Sequence, residues 1–180
     1  MKLVIARYNE DISWSDGYDR IIYNKGGAID APYVTLPNVG RESHTYLTHI
    51  IENYDNLDEY TLFLQGRPHD HTTNLAKEIA RLEETKPDFS YISRQFIDCR
   101  LSGCQHHPAL PIQQVYQYLF QSQMDDFTFQ FGQGAQFMVS RDRIRRYTRL
   151  FYERALELVK YDIDPDAGYV MERMWGLIFG

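Results

Sequence analysis

The chain of 180 residues carries only two cysteines, Cys99 and Cys104, so no disulfide framework supports it. A reduced, cytoplasmic setting is the expectation. Long apolar runs are also missing: none approaches the roughly 18 residues needed to cross a bilayer. The opening stretch Met1 to Ala6 turns charged at Arg7 and Glu10, too soon for a signal peptide, and reads as a strand. Positive charge is in deficit, with 19 basic against 25 acidic residues and a net charge of −6. That balance argues against nucleic-acid and anionic-membrane partners, whose phosphates are bound by Lys and Arg. The deficit sits in one half of the chain. Residues 1–90 hold 9 basic and 15 acidic residues, whereas residues 91–180 hold 10 of each. No internal repeat, low-complexity tract or linker is visible. What is present is 43% hydrophobic and 24% charged residues, with 14 tyrosines. That suits one folded domain large enough to bury a core.

Apolar runs alternate with helical periods. Leu3–Ala6, Arg20–Tyr23 and Tyr60–Leu64 read as buried strands, and Asp88–Ile92 and Gln136–Val139 as two more. Tyr46, Leu47, Ile50, Ile51 and Tyr54 recur at three- and four-residue steps and predict a helix from Glu42. Leu75, Ile79 and Leu82 predict a second, and Ile112 to Phe120 a third. Ser140 suits the N-cap of one long helix from about Arg141 to Lys160. A last helix, apolar almost all round, starts near Asp166. Phe127–Phe131 alternates and is a further strand. Ser93–Pro111 shows little periodicity and reads as a long connection. The whole predicts a single α/β domain over residues 1–180, with a mostly parallel, mixed sheet flanked by helices.

In such sheets, ligands bind beyond the carboxyl ends of the strands. Those ends are polar here: Arg7-Tyr8-Asn9-Glu10, Asn24-Lys25, Gln65-Gly66-Arg67 and Gly132-Gln133-Gly134. They are expected to converge on one rim.

Several stretches are similar to known families. Leu3-Val4-Ile5-Ala6-Arg7-Tyr8-Asn9-Glu10 looks like the opening strand of A-type (GT-A) glycosyltransferases, and Tyr60–Leu64 resembles their strand that leads into a metal-binding Asp-x-Asp. Gly134-Ala135-Gln136-Phe137 resembles their later strand on the acceptor side. A fuller resemblance, over nearly the whole chain, is to a single-domain family of unknown function. It rests on the Ala-Arg-Tyr-Asn-Glu start, Val-Gly-Arg-Glu-Ser-His, Phe-Leu-Gln-Gly, Gly-Ala-Gln-Phe and the Glu-Arg-x-Trp ending. The glycosyltransferase resemblance implies a nucleotide-diphospho-sugar transferase fold. It also implies a nucleotide-sugar donor and a glycan or other hydroxyl acceptor. The chain departs from that pattern where Gln65-Gly66-Arg67 stands in place of Asp-x-Asp.

Each candidate residue carries a functional and a structural reading. Tyr8, Asn9 and Glu10 suit a nucleoside or an ordinary turn, as do Asn24 and Lys25. Arg41 opens a helix, where an anion is favoured, or pairs with Glu42 or Glu52. Arg7, Lys25, Arg41 and Arg67 are the cations on hand for a diphosphate. His69, Asp70 and His71 are candidate ligands for a divalent metal, Mn²⁺ or Mg²⁺, although three adjacent side chains do not readily face one ion. Cys99, Cys104, His106 and His107 superficially resemble a zinc set, but buried thiols and loop histidines fit their spacing better. Glu172 sits on an apolar helix. It reads as a general base for the acceptor hydroxyl or as a structural ion-pair partner. The run Arg141, Arg143, Arg145, Arg146 and Arg149 reads as a solvated face. Three functions remain open: a glycosyltransferase, a non-catalytic nucleotide-sugar or glycan-binding module, and a metal-dependent hydrolase on His69, Asp70 and His71.

Overall fold

A computed structural model describes all residues, Met1–Gly180. Strands β1 (Lys2–Arg7), β2 (Arg20–Asn24) and β3 (Val34–Thr35) precede helix α1 (Arg41–Glu52) and strand β4 (Tyr60–Gln65). Helix α2 (Leu75–Thr85), strands β5 (Phe89–Tyr91) and β6 (Phe96–Arg100), helix α3 (Ile112–Phe120) and strand β7 (Thr128–Gly132) follow. The chain ends with β8 (Phe137–Ser140), α4 (Arg141–Ile144), α5 (Arg149–Glu157) and α6 (Asp166–Phe179). Six strands form one mixed sheet in the order β3-β2-β1-β4-β8-β5. β1 pairs in parallel with β2 and β4, and only β8 runs against its neighbours.

Strand alternation sorts the core into two layers. Val4, Tyr23, Phe63, Phe137 and Val139 face α1, α3, α5 and α6 in a cluster of 30 buried residues. Leu3, Ile5, Ile22, Leu62, Leu64 and Met138 face α2 in a smaller cluster of 11. Because successive side chains point to opposite faces, a strand covered on both sides must be apolar throughout. That explains the uninterrupted Leu-Val-Ile and Leu-Phe-Leu runs.

Phe137 is the hub of the thicker layer. Its ring lies 5.3 Å from Phe63, 5.3 Å from Trp175, 5.7 Å from Phe89 and 5.7 Å from Phe179. These contacts join β4, β5, β8 and α6 through one side chain. No helix is long and apolar enough to cross a membrane.

Three expectations need correction. First, the Phe127–Phe131 strand is not part of the main rim. As β7 it pairs antiparallel with β6 in a separate two-stranded ribbon. The aperiodic connection Ser93–Pro111 therefore contains a strand whose partner lies some thirty residues on, as Asp98 opposite Gln130 illustrates. Second, the long helix predicted over 141–160 is two helices. Ser140 caps α4 by accepting from the Arg143 N–H at 3.2 Å. The Tyr147 carbonyl then accepts the Tyr54 hydroxyl at 2.6 Å, and Thr148 turns extended at ψ 159°. A tertiary hydrogen bond thus takes an acceptor that a continuous helix would use. Third, the arginine run, exposed at Arg145, Arg146 and Arg149, is split between α4, α5 and the turn that joins them rather than set on one helix. Arg145 donates to the Asp55 carbonyl at 3.0 Å, Arg143 to the Gly180 carbonyl at 3.1 Å, and Arg149 pairs with Glu153 at 3.3 Å.

Helix α1 buries two histidines. His49 is 3% exposed, and its Nδ1 lies 3.1 Å from the Tyr23 hydroxyl. Burial, then the Lys2 charge, pulls its pKa down to about 4. Burial and Lys25 pull His44 down to about 4 as well.

Phe137→Ala is expected to cost about 3–5 kcal/mol, the usual range for emptying a buried aromatic site, as measured by denaturant unfolding. An unfolded histidine titrates near pH 6.5, above the folded value, so the neutral form stabilises the fold above that pH. Stability should therefore fall as pH drops from about 6.5 to about 4, by at most about 1.4 kcal/mol per pH unit for His49. His49→Gln should flatten this acid limb in pH-dependent chemical denaturation, and an unchanged slope would refute the assignment.

Candidate functional site

The strand order changes direction beside β1. The chain moves outward from β1 to β2 and β3, then returns to place β4 on the other side of β1. The loops leaving β1 and β4 therefore diverge, and a crevice opens at their carboxyl ends. A cavity of about 460 Å³ occupies it. Its walls are Ala6, Arg7, Tyr8, Asn9, Glu10, Lys25, Asn38, Arg41, Glu42, Gln65, Arg67 and Asp70. Four cations thus face three carboxylates, in a chain whose net charge is −6.

The β1 tail is built rigidly. Arg7 is 7% exposed, and its Nη1 donates to Asn24 Oδ1 at 2.6 Å, Gly27 O at 2.9 Å and Tyr8 O at 3.0 Å. Its Nε donates to Glu10 O at 3.0 Å. One guanidinium therefore ties the loops after β1 and β2 together. The approach is so close that a Cβ on Gly26 would come within 1.7 Å of the Tyr8 carbonyl. Asn9 Oδ1 accepts the Gly27 N–H at 2.9 Å, and Glu10 Oε2 accepts the Tyr8 N–H at 2.7 Å. Gly66 leaves room for that carboxylate, since a Cβ there would sit 2.6 Å from Glu10 Oε2. The Tyr8 side chain remains half exposed at the cavity mouth.

The opposite wall is the start of α1. Gly40 and Arg41 both take positive φ, 62° and 50°. Gly40 has no alternative, because a Cβ would lie 2.2 Å from the Val159 carbonyl. Its N–H donates to Asp162 O at 2.7 Å, so that donor of the helix start is already used. Lys25 Nζ donates to Val39 O at 2.6 Å and to Arg41 O. Burial lowers the Lys25 pKa to about 8, against the pull of Glu42. Arg41 pairs with Asp164 at 3.0 Å and lies 4.3 Å over the Tyr169 ring. Burial raises the proton affinity of the Glu42 carboxyl; Arg41 opposes this and Glu172 adds to it. Arg67 makes no side-chain hydrogen bond or ion pair and stands exposed on the third wall.

The structure brings nine of the sequence-derived candidates to this cavity: Arg7, Tyr8, Asn9, Glu10, Lys25, Arg41, Gln65, Arg67 and Asp70. Asn24 lies behind them, 2% exposed, as the partner of Arg7. Gln136 is also buried away from the cavity; its Nε2 donates to Pro68 O at 3.1 Å and Thr72 Oγ1 at 3.2 Å, bracing the loop after β4. His69, Asp70 and His71 diverge. His69 packs edge-on against Trp14, His71 packs against Gly134, and only Asp70 lines the cavity. No group of three or more His, Cys, Asp or Glu side chains is arranged to hold a metal ion.

Glu172 lies elsewhere. Its Oε1 accepts the Gly134 N–H at 2.6 Å, and Oε2 is 3.5 Å from Arg173 Nη1. It lines a second cavity of about 220 Å³ with Gln95, Gln133, His106, His107, Phe131, Ile97 and Arg173. The expectation that Glu172 is the buried charge of α6 is corrected: Arg173 is 1% exposed, whereas the Glu172 side chain keeps 18%. Cavity residues that the sequence reading missed are Ala6, Asn38 and Glu42. Glu42 had a usable signal, a carboxylate in the first turn of a helix that follows a strand-end loop.

No curated protein and no solved structure matches the chain. One family model does match, over residues 3–180, and it is described as a protein of unknown function, DUF3431. With nearly its whole length covered, the chain belongs to the DUF3431 family.

Proposed function

We propose that the strand-end cavity binds a nucleotide-sugar donor and that the protein is a glycosyltransferase-like enzyme acting on a hydroxyl acceptor. The observation that carries this reading is an open, cation-bearing cavity at the switch point of the sheet, in a chain that is acidic overall. A diphosphate needs positive groups at close range, because the summed charge of the molecule repels it. Arg67, which has no side-chain partner, is the group free to meet it, and a guanidinium fork matches phosphate oxygens. Arg41 adds a second guanidinium from the opposite wall. Arg7 and Lys25 are held in place by carbonyl and amide oxygens, which use Arg7 Nε and Nη1 and two of the three Lys25 donors, so they add charge from fixed positions. The half-exposed Tyr8 ring suits a base, and Glu10 and Asp70 suit sugar hydroxyls or a divalent metal.

In this reading the leaving diphosphate is stabilised by guanidinium groups preorganised at the site. Glu172, whose charge acts on Glu42 in the wall of the donor cavity, serves as acceptor base beside the Gly134 loop. Glu42, with its raised proton affinity, sits on the donor side.

A second reading, a binding module without transfer, is favoured by Gln65-Gly66-Arg67 standing in place of Asp-x-Asp and by the absence of a metal-ligand cluster. The hydrolase reading loses support because His69 and His71 point away from Asp70.

Nucleoside diphosphates and their sugars, with and without Mn²⁺, should raise the melting temperature in a saturable way; at a hundredfold excess over Kd the stabilisation is about 2.7 kcal/mol. Arg67→Ala should remove most of this shift while leaving the ligand-free melting temperature unchanged. No shift with any nucleotide at millimolar concentration would overturn the proposal. Glu172→Gln should keep the donor-induced shift and abolish transfer to acceptor. If it loses the shift instead, Glu172 is holding the Gly134 loop rather than acting as a base.

A further inference from the structure

The two thiols lie outside the strand-end cavity and form a built pair. Arg100 and Gly103 exchange both backbone hydrogen bonds, at 3.0 and 3.1 Å, across the turn Leu101–Ser102. Cys99 and Cys104 flank this isolated bridge on either side, and one further step of the same antiparallel register would set them opposite each other. This is a non-hydrogen-bonded position, where Cα atoms stand about 4.5 Å apart with side chains on one face. A disulfide spans Cα separations of about 4.4–6.8 Å, so the hairpin can close one without unfolding. Both thiols are free and both residues are 2% exposed, and the Cys99 Sγ donates to Arg100 O at 3.7 Å and to Gly103 O, beside Cys104, at 3.9 Å.

The third member is Arg173. Its guanidinium is buried, with Nη1 donating to Tyr169 O at 2.6 Å and Nη2 to His107 Nδ1 at 3.0 Å. The nearest carboxylate, Glu172, is 3.5 Å away and partly exposed. A buried guanidinium demands a counter-charge. Arg173 Nε has no hydrogen-bond partner, and Nη2 meets His107 on the turn that begins at Cys104, whose sulfur becomes an anion when its proton leaves. The hairpin register and this contact make Cys104 the nucleophile and Cys99 the resolving thiol.

We propose that Cys104 is a covalent modification site that reacts with peroxides and is resolved by Cys99 into an intramolecular disulfide. The Cys104 thiolate displaces hydroxide from hydrogen peroxide, so the sulfur is oxidised to sulfenic acid and the peroxide oxygens are reduced. The Cys99 sulfur then attacks the sulfenic sulfur; the S–S bond forms, the S–O bond breaks, and the departing hydroxide takes the Cys99 proton as water. Two thiols and one hydrogen peroxide thus give one disulfide and two waters. The electrostatics run the same way. Burial pushes Cys104 up, but its neighbours Arg173 and Cys99 outweigh that and hold Cys104 below the ordinary thiol value. Burial and the adjoining Cys104 push Cys99 up to about 12. His107, whose N–H bonds the Cys104 carbonyl at 3.1 Å, and Arg173 both line the cavity of about 220 Å³, so the thiol hairpin lies one residue layer behind that cavity.

The test uses the full chain, reduced, freed of reductant, treated with hydrogen peroxide, alkylated in denaturant and digested with trypsin without reduction. Trypsin cuts after Arg94, Arg100 and Arg141, so the disulfide joins peptide Gln95–Arg100 to Leu101–Arg141. The expected result is that linked peptide, with the intact chain lighter by two hydrogen atoms. Cys99→Ser should give a dimedone-trapped sulfenic acid at Cys104, and Cys104→Ser should react at least about tenfold more slowly than wild type. No linked peptide from the native chain overturns the proposal, and so does a Cys104→Ser variant that consumes peroxide at the wild-type rate. Limiting iodoacetamide on the native wild type needs no variant to fold: Cys104 should be labelled first, and labelling of Cys99 first also overturns it.

Discussion

A sheet covered on both faces leaves its strand ends as the one place where its backbone meets polar chemistry. Leu3 and Ile5 are sealed under α2, and Val4 under α1 and α6. Nothing charged can enter such a strand without losing its hydration. Charge therefore appears only at the strand's two ends, and at the carboxyl end of β1 that residue is Arg7. Its guanidinium replaces the lost water with carbonyl and amide oxygens from two loops. The cavity floor is consequently as fixed as the core beneath it, and ligand-binding groups start from preset positions.

The thicker core layer sets the second constraint. Phe137 and Trp175 hold α6 against the antiparallel strand β8. On the same helix, Glu172 grips the Gly134 loop while Arg173 meets His107 beside the thiol hairpin. Neighbouring residues of one helix thereby address different sites, because a step of one residue rotates a side chain by about 100°. The small β6–β7 ribbon, folded apart from the main sheet, supplies the rest of that second site.

Sequence periodicity made most of the fold legible. β1, β2, β4, α1, α2 and α6 are each apolar in a pattern that belongs to one kind of element, and the structure holds them close to the expected bounds. β6 was hidden because its exposed–buried alternation, with Ile97 and Cys99 inward, is only five residues long and its partner is remote. The break between α4 and α5 was hidden because its cause, the Tyr54 hydroxyl, is far away in sequence. The cavity was legible through the rule of strand ends, which brought Tyr8, Asn9, Glu10 and Arg67 together. Side-chain direction was not. Whether His69 turns to Trp14, or Asn24 folds back onto Arg7, depends on tertiary neighbours that no local pattern encodes.

The left-handed pair Gly40–Arg41 joins the cavity to a distant loop. Gly40 hydrogen-bonds Asp162, and Arg41 pairs with Asp164, so the wall of the site is latched to the segment between α5 and α6. Arg41 spends Nη1 on Asp164, so the cavity wall and the loop share one guanidinium. Under the proposed function, an anion that drew Arg41 away from Asp164 would loosen the 162–164 loop, readable as faster backbone hydrogen exchange in a segment that lies outside the cavity lining.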